Sequence, residues 1–439
     1  MAFTIAPDKV IPTLSEHILV DGFHVVIDLE KSHGSWIRDA LTGRELLDFY
    51  AYFASLPVGH NHPALTKDKE FAAALHRATI ANPANSDIYC AEYAAFTDTF
   101  ARLAKPDSMR RFFFIAGGAL AVENALKTAF DWKLRKNRAA GRGELGTQII
   151  HFKECFHGRS GYTMSLTNTD PIKTDGYPKF SWPRIINPKL DFPLTKESLD
   201  KTIALERQAV SEIEAAFAKN PHDIAAIIIE PIQGEGGDNH FRTEFFQELR
   251  RLADKHEALL IFDEVQTGVG TTGRMWAHQY FNVSPDILVF GKKAQVCGIM
   301  VGPRIDEVKD NVFQLSGRIN STWGGNLADM VRGAKYLEII HQEKLVENAA
   351  RVGEQLVAGL QAIAQKRSVV SNVRGRGTFC AFTLPSTEVR NKVRSTCWEL
   401  GLATLTSGPR SIRFRPCLNV TAKEIDTGLS MVDTALSKL

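Results

Sequence analysis

Five short polar stretches, each directly behind an apolar run, hold the residues of this 439-residue chain whose types could do chemistry. They are Gly117-Gly118-Ala119, Phe156-His157-Gly158-Arg159, Glu230 with Gln233-Gly234-Glu235-Gly236-Gly237, Asp263-Glu264-Val265-Gln266, and Gly291-Lys292-Lys293. Singly, each has a plain structural explanation. A Gly-Gly pair after a strand is commonly a turn, an Asp at a strand end commonly caps the next element, and a Lys-Lys pair is commonly solvated. Together they suit one chemistry, that of a pyridine aldehyde phosphate used as an electron sink. A glycine turn leading a helix offers backbone N–H groups and a positive helix end to a phosphate dianion. Asp263 would hydrogen-bond a protonated pyridine nitrogen and keep it cationic, and Phe156 offers a face for the ring. A lysine amine, desolvated beside the cofactor, becomes nucleophilic and can later shuttle a proton between substrate and cofactor carbons. From the residues alone, either Lys292 or Lys293 could be that lysine.

The elements that must position these residues follow from the pattern. Apolar runs at 111–115, 147–152, 224–230, 258–264 and 286–291 lack polar alternation, as expected of strands buried on both faces. Helical periodicity at 119–137 and 242–257 alternates with them, which predicts a mainly parallel α/β sheet. In such sheets ligands bind outside the C-terminal strand ends, where the five stretches lie. The first ~60 residues read as short strands and turns; a long helical stretch over 330–366 leads into strand-like GTFCAFTL and SIRFRP. A second, smaller α+β layer built from both chain ends accounts for this.

Composition narrows the partners. Lys+Arg of 53 against Asp+Glu of 50 gives a formal charge of +3, with no basic block suited to nucleic acid or anionic lipid, so a small-molecule partner is expected. The six cysteines have neither metal-site nor disulfide spacing and are expected to be reduced and mostly buried, and no metal is expected. MAFTIAPDKV has no basic start followed by an apolar stretch, and no ~20-residue apolar run occurs, so a soluble, cytoplasmic protein is expected.

DEVQTGVGTTGRMWA at 263–277 with PDILVFGKK at 285–293 closely resembles the signature of the class III aminotransferases, pyridoxal-phosphate enzymes of fold type I. The likeness runs through LDFYAYFASLPVGHNHPAL at 47–65, VRGRGTFCAF at 373–382 and IRFRPCL at 412–418. GGALAVENALK, FHGRSGYTMSLTNT, EPIQGEGGD, GKKAQVCG and NSTWGGN are most similar to members that act on the terminal amine of L-lysine. The resemblance implies a large domain over 61–324 with a central, mostly parallel seven-stranded sheet flanked by helices. A small α+β domain would comprise 1–60 and 325–439. Its spacing from Asp263 selects Lys292 as the lysine that bonds the cofactor pyridoxal 5'-phosphate. It also implies Asp263 at the pyridine nitrogen, Gln266 near the ring hydroxyl, Gly118 and Ala119 at the phosphate, and Phe156 on the ring. Thr322 would reach the phosphate from a second subunit, making a homodimer the minimal active unit. The family commonly has Ser-Gly-Thr where this chain has Gly117-Gly118-Ala119, which shifts phosphate binding toward backbone N–H groups and Thr322.

The same resemblance implies Arg159 for the distal carboxylate of the substrate and Arg413 for the carboxylate beside the reacting carbon of 2-oxoglutarate. When a terminal amine reacts, Arg413 would face a methylene as an unpaired charge, unless Glu235 pairs with it and swings away for the other substrate. The expected reaction moves the ε-amino group of L-lysine to 2-oxoglutarate. A related enzyme for 4-aminobutyrate or L-ornithine would share the cofactor machinery. A nucleotide-binding oxidoreductase is disfavoured, because no acidic residue follows a full glycine fingerprint.

Overall fold

The computed structural model describes residues 4–439. After a helix over Pro7–Ser15 come two short antiparallel strands, β1 (Trp36–Arg38) and β2 (Glu45–Asp48). The large sheet follows with β3 (Arg111–Ile115), β4 (Gln148–Phe152), β5 (Arg184–Ile185), β6 (Ile224–Ile229), β7 (Leu259–Asp263), β8 (Ile287–Phe290) and β9 (Cys297–Val301). These seven strands lie in the order β3-β9-β8-β7-β6-β4-β5. Only β9 runs antiparallel to its neighbours, so the expected mostly parallel, seven-stranded sheet of a fold type I aminotransferase is present. β5 and β9 carry no signal that periodicity picked out; Arg184-Ile185 is two residues long.

All six residues of β6 and all five of β7 are buried, because helices cover both faces. Each such Ile or Leu stabilises the sheet by about 1.5–3 kcal/mol relative to exposure. On one face, α1 (Gly118–Ala139) presents Ala121, Val122, Ala125, Leu126, Ala129 and Trp132 at three- and four-residue spacing to the inward residues of β6, β8 and β9. On the other, α2 (Lys196–Lys219) and α3 (Thr243–Lys255) pack Ile213, Phe217, Phe245, Phe246 and Leu249 against β4, β6 and β7.

Both chain ends share a further core. Leu47 and Phe49 pack with Val352, Leu356, Phe382 and Phe414. Four antiparallel strands form this layer, β10 (Ser371–Arg376), β11 (Phe379–Thr383), β13 (Leu405–Ser407) and β14 (Ser411–Phe414), while β12 (Leu402–Ala403) runs parallel to β2. The single long helix read over 330–366 is two helices, α4 (Leu327–Gln342) and α5 (Leu345–Lys366). Lys344 between them sits in the left-handed region at φ +52, which ends one helix and redirects the next. Four of the six cysteines are buried and all six are free. Among the described residues, no helix is long and apolar enough to cross a membrane.

Candidate active site

The turn after β3 builds one wall. Gly117 takes φ +97, which a side chain would resist, and α1 begins behind it with no side-chain cap. The N–H groups of its first turn, Gly118 and Ala119 among them, therefore have no intrahelical acceptor and present a positive end. Gly158, at φ +120, brings the Phe156 turn onto the same spot: a Cβ there would meet the Ala119 Cβ at 2.6 Å. Gly118 itself lies against the Val265 side chain, so three of the five polar stretches converge.

Asp263 closes β7 and is 5% exposed. Its Oδ2 accepts from Nδ1 of His157 at 2.7 Å, and its Oδ1 accepts from the Val265 N–H at 3.1 Å. Burial alone would strip the His157 proton, yet the neighbouring Cys155 and Asp263 outweigh it and hold this imidazole well above its ordinary range. A buried cation thus backs the carboxylate. Glu230, at the end of β6, accepts from the N–H of Phe156 at 2.9 Å and of Gly234 at 3.0 Å, tying two of the site loops together. Burial pushes its carboxyl up to about 7, with His157 opposing and Asp263 adding.

Behind β8 the chain makes a tight turn over Lys292–Ala294, with Lys292 at φ +50. Lys292 Nζ donates to the Phe53 carbonyl at 3.0 Å, Lys293 Nζ to that of Ala54 at 2.8 Å, and Gln295 Nε2 to that of Ser55 at 2.9 Å. The first two acceptors belong to a left-handed turn in which Ala51, Tyr52, Phe53 and Ala54 have φ of 43, 52, 58 and 68. Such a conformation costs roughly 1–2 kcal/mol per residue, and strain of this kind gathers at functional sites. Lys293 is buried and Lys292 half-buried. Burial draws Lys292 down to about 8, Arg413 adding and Glu235 opposing. Burial and then Arg415 draw Lys293 down to about 7. Their surroundings differ: Arg413, Glu235 and Asp263 act on Lys292, whereas Arg415, Cys417 and Asp48 act on Lys293. Lys292 belongs to the side of the pocket that holds the other chemically able groups, and Lys293 is a buried donor beneath it.

The far wall comes from β14. Arg413, opposite Ala381 of β11, is 2% exposed. Its Nη2 donates to Glu235 Oε2 at 2.9 Å, and its Nη1 lies 3.5 Å from Gln266 Oε1. Arg415, two residues on, donates to the same Gln266 oxygen at 3.1 Å and to Asp238 at 2.7 Å. Glu235 has a second partner, Lys173, whose Nζ donates to Oε1 at 2.6 Å and lies 5.4 Å over the Phe156 ring. Burial raises the Glu235 carboxyl, but Arg413 and Lys173 outweigh it and hold it below the usual range.

Glu235, Gln266 and Arg413 are directly joined, Asp263 acts electrostatically on Lys292, and the α1 start meets the Phe156 turn. Arg159 is exposed, with no hydrogen bond or ion pair among the described residues. Thr322 is also exposed, its carbonyl accepting from Ser86 Oγ at 3.1 Å. Sequence reasoning gave no role to His157, Glu230, Lys173 or Arg415. His157 stood in the right turn; Lys173 lies in an aperiodic loop with no local signal.

The arrangement suits pyridoxal phosphate: an uncapped helix end for phosphate, a cation-backed carboxylate for a ring N–H, and an amine of lowered pKa. The family profile for Aminotransferase class-III matches residues 20–436. An L-lysine-epsilon aminotransferase of Mycobacterium tuberculosis is 51% identical over 434 residues, 98% of this chain and 96% of that protein. The mitochondrial 4-aminobutyrate aminotransferase of Homo sapiens is 33% identical over 429 residues, 91% of this chain and 82% of that protein. A solved lysine aminotransferase from M. tuberculosis, in the internal aldimine form, superposes with a TM-score of 0.97 at 50% identity, covering 99% of this chain and all of that one.

Proposed function

Because this chain belongs to the class-III aminotransferases, enzymes that use pyridoxal 5'-phosphate, we propose that it moves the ε-amino group of L-lysine to 2-oxoglutarate. The products are L-glutamate and 2-aminoadipate 6-semialdehyde, which closes on its own α-amine to piperideine-6-carboxylate. The observation that carries the reading is the Glu235–Arg413 pair at 2.9 Å. An enzyme that accepts a terminal amine must neutralise its carboxylate-binding arginine when a methylene faces it, and Glu235 does so here. The similarity at 51% to an L-lysine-epsilon aminotransferase, against 33% to a 4-aminobutyrate aminotransferase, favours L-lysine as donor.

When bound, the cofactor supplies an aldehyde that captures amines and a cationic ring that draws electrons from the reacting carbon. The chain's residues do the rest. The first turn of α1 would bind the phosphate through Gly118 and Ala119, and Phe156 would offer its face to the ring. Asp263, backed by His157, would hold the proton on the ring nitrogen, and Gln266 would lie near the ring hydroxyl. Lys292 would bond the cofactor, and its amine, when free, would be the base that holds the proton of the reacting carbon. Arg413 takes the carboxylate beside the reacting carbon of 2-oxoglutarate after Glu235 withdraws. Arg159, exposed and without a partner among the described residues, is placed to take the distal carboxylate.

We assign the working unit as a cytoplasmic homodimer in which Thr322 completes the neighbouring phosphate site. The exposure of Thr322 in the single chain supports this, as do the exposed apolar Leu120 at the start of α1 and Trp323 beside Thr322. The division into a large domain over 61–324 and a small one from 1–60 and 325–439 draws support from the core that Leu47 and Phe49 share with Val352 and Phe414. A donor panel with 2-oxoglutarate as acceptor tests the function, glutamate being measured. L-Lysine is expected to give the highest kcat/KM; a higher value for 4-aminobutyrate or L-ornithine would overturn the choice of donor.

A further inference from the structure

Glu235 is bound at both oxygens, one by Arg413 and the other by Lys173, so that a single carboxylate sits between two cations. Resting on the exchange of Glu235 proposed above, we propose that Lys173 is a specificity-determining positioning residue that receives Glu235 when it leaves Arg413. Arg413 is 3% exposed at its side chain, Glu235 28% and Lys173 21%. A carboxylate displaced from the buried arginine into a pocket of this depth needs another cation, or its departure is opposed by desolvation. Lys173 meets that need without requiring Glu235 to reach bulk water. It also competes for the carboxylate while Glu235 is paired with Arg413 and so loosens that pair. Both effects favour the substrate whose carboxylate must occupy Arg413.

The surroundings of Lys173 fit a fixed anchor. It ends a tight turn, Pro171–Lys173, capped by Asp170, whose Oδ1 accepts from the Ile172 N–H at 3.1 Å. Its ammonium lies over the Phe156 ring, which is held in turn by Glu230 through the Phe156 N–H. Lys173 thereby ties the carboxylate exchange to the loop that carries the ring-stacking residue. Its charge acts on the acceptor side of the reaction through Glu235 and not by contact with the reacting atoms.

The test compares L-lysine and L-glutamate, which react with the same form of the cofactor-loaded enzyme; only L-glutamate requires Glu235 to leave Arg413. Single-turnover rates are followed by the visible absorption of the cofactor. Lys173→Met removes the charge and keeps the stem. It is expected to raise the apparent dissociation constant for L-glutamate and lower its kcat/KM about tenfold, the effect of losing one partly buried ion pair. L-Lysine should change by less than about twofold, and Lys173→Arg should restore L-glutamate. In a Glu235→Ala background, Lys173→Met should have no further selective effect. Equal losses for both donors, or an L-glutamate loss that persists without Glu235, would overturn the proposal while leaving the Glu235 exchange standing. If Glu235→Ala alone affects both donors equally, the exchange itself falls, and this role of Lys173 with it.

Discussion

Replacing Glu235 by Ala should separate the two half-reactions. In the structure its carboxylate is 2.9 Å from Nη2 of Arg413, whose Nε has no partner among the described residues and whose contact to Gln266 is long at 3.5 Å. Without Glu235, the lysine side chain places a methylene against a guanidinium that is 3% exposed. Truncating one partner of a buried, hydrogen-bonded charge pair costs about 2–5 kcal/mol. Glu235 keeps 28% exposure and water can follow it in, so the lower part applies. A loss of about 2–3 kcal/mol is about 30- to 150-fold in kcat/KM for L-lysine. L-Glutamate brings its own carboxylate to Arg413 and should stay within about twofold, or improve. Stopped-flow absorption of the cofactor-loaded enzyme with each donor reads both values. Equal losses for the two donors would show that Glu235 is only a structural residue of its loop and does not shield Arg413.

Four other outcomes follow from the geometry. Lys292→Ala should abolish covalent attachment of the cofactor and the yellow colour, whereas Lys293→Ala should keep the colour; the reverse result would transfer the role to Lys293. Because burial and Arg413 lower Lys292 to about 8, its neutral amine appears early, and cofactor loading of the apoenzyme should rise with pH and level off above about 8. A rate still climbing through 10 would contradict this. Lys293, lowered to about 7 from 10.5, is a group whose unfolded form holds its proton at higher pH, so wild-type stability relative to Lys293→Met should rise between pH 7 and 10.5. Denaturant midpoints across that range check the sign. His157→Ala leaves the buried Asp263 without its cation and should cost about 3–5 kcal/mol of stability; an unchanged midpoint would mean that the 2.7 Å contact carries no net charge.

The strand ends were legible because the chemistry of this fold collects there. Gly117, Phe156, Asp263 and Lys292 each follow a buried apolar run, and periodicity locates such runs well. Arg413 and Glu235 were reached through resemblance; their 2.9 Å contact joins β14 to the β6 loop across 178 residues, which no local pattern encodes. Lys173 was invisible for the same reason. The left-handed turn over 51–54 is a sharper case. Ala-Tyr-Phe-Ala contains no glycine or asparagine to signal positive φ, and tertiary packing overrides local preference to aim carbonyls at Lys292 and Lys293. The break at Lys344 was missed likewise, because lysine is an ordinary helix former and the apolar pattern runs on through it.

Transfer of the ε-amino group is tested most directly by following the nitrogen. L-Lysine labelled with ¹⁵N at the ε position is incubated with the cofactor-loaded enzyme and 2-oxoglutarate, and the glutamate formed is examined by mass spectrometry. The glutamate is expected to carry the label, and the lysine-derived product to be an unlabelled cyclic imine. Unlabelled glutamate, with the ¹⁵N retained in the lysine skeleton, would show that the α-amine reacts and would contradict transfer of the ε-amino group.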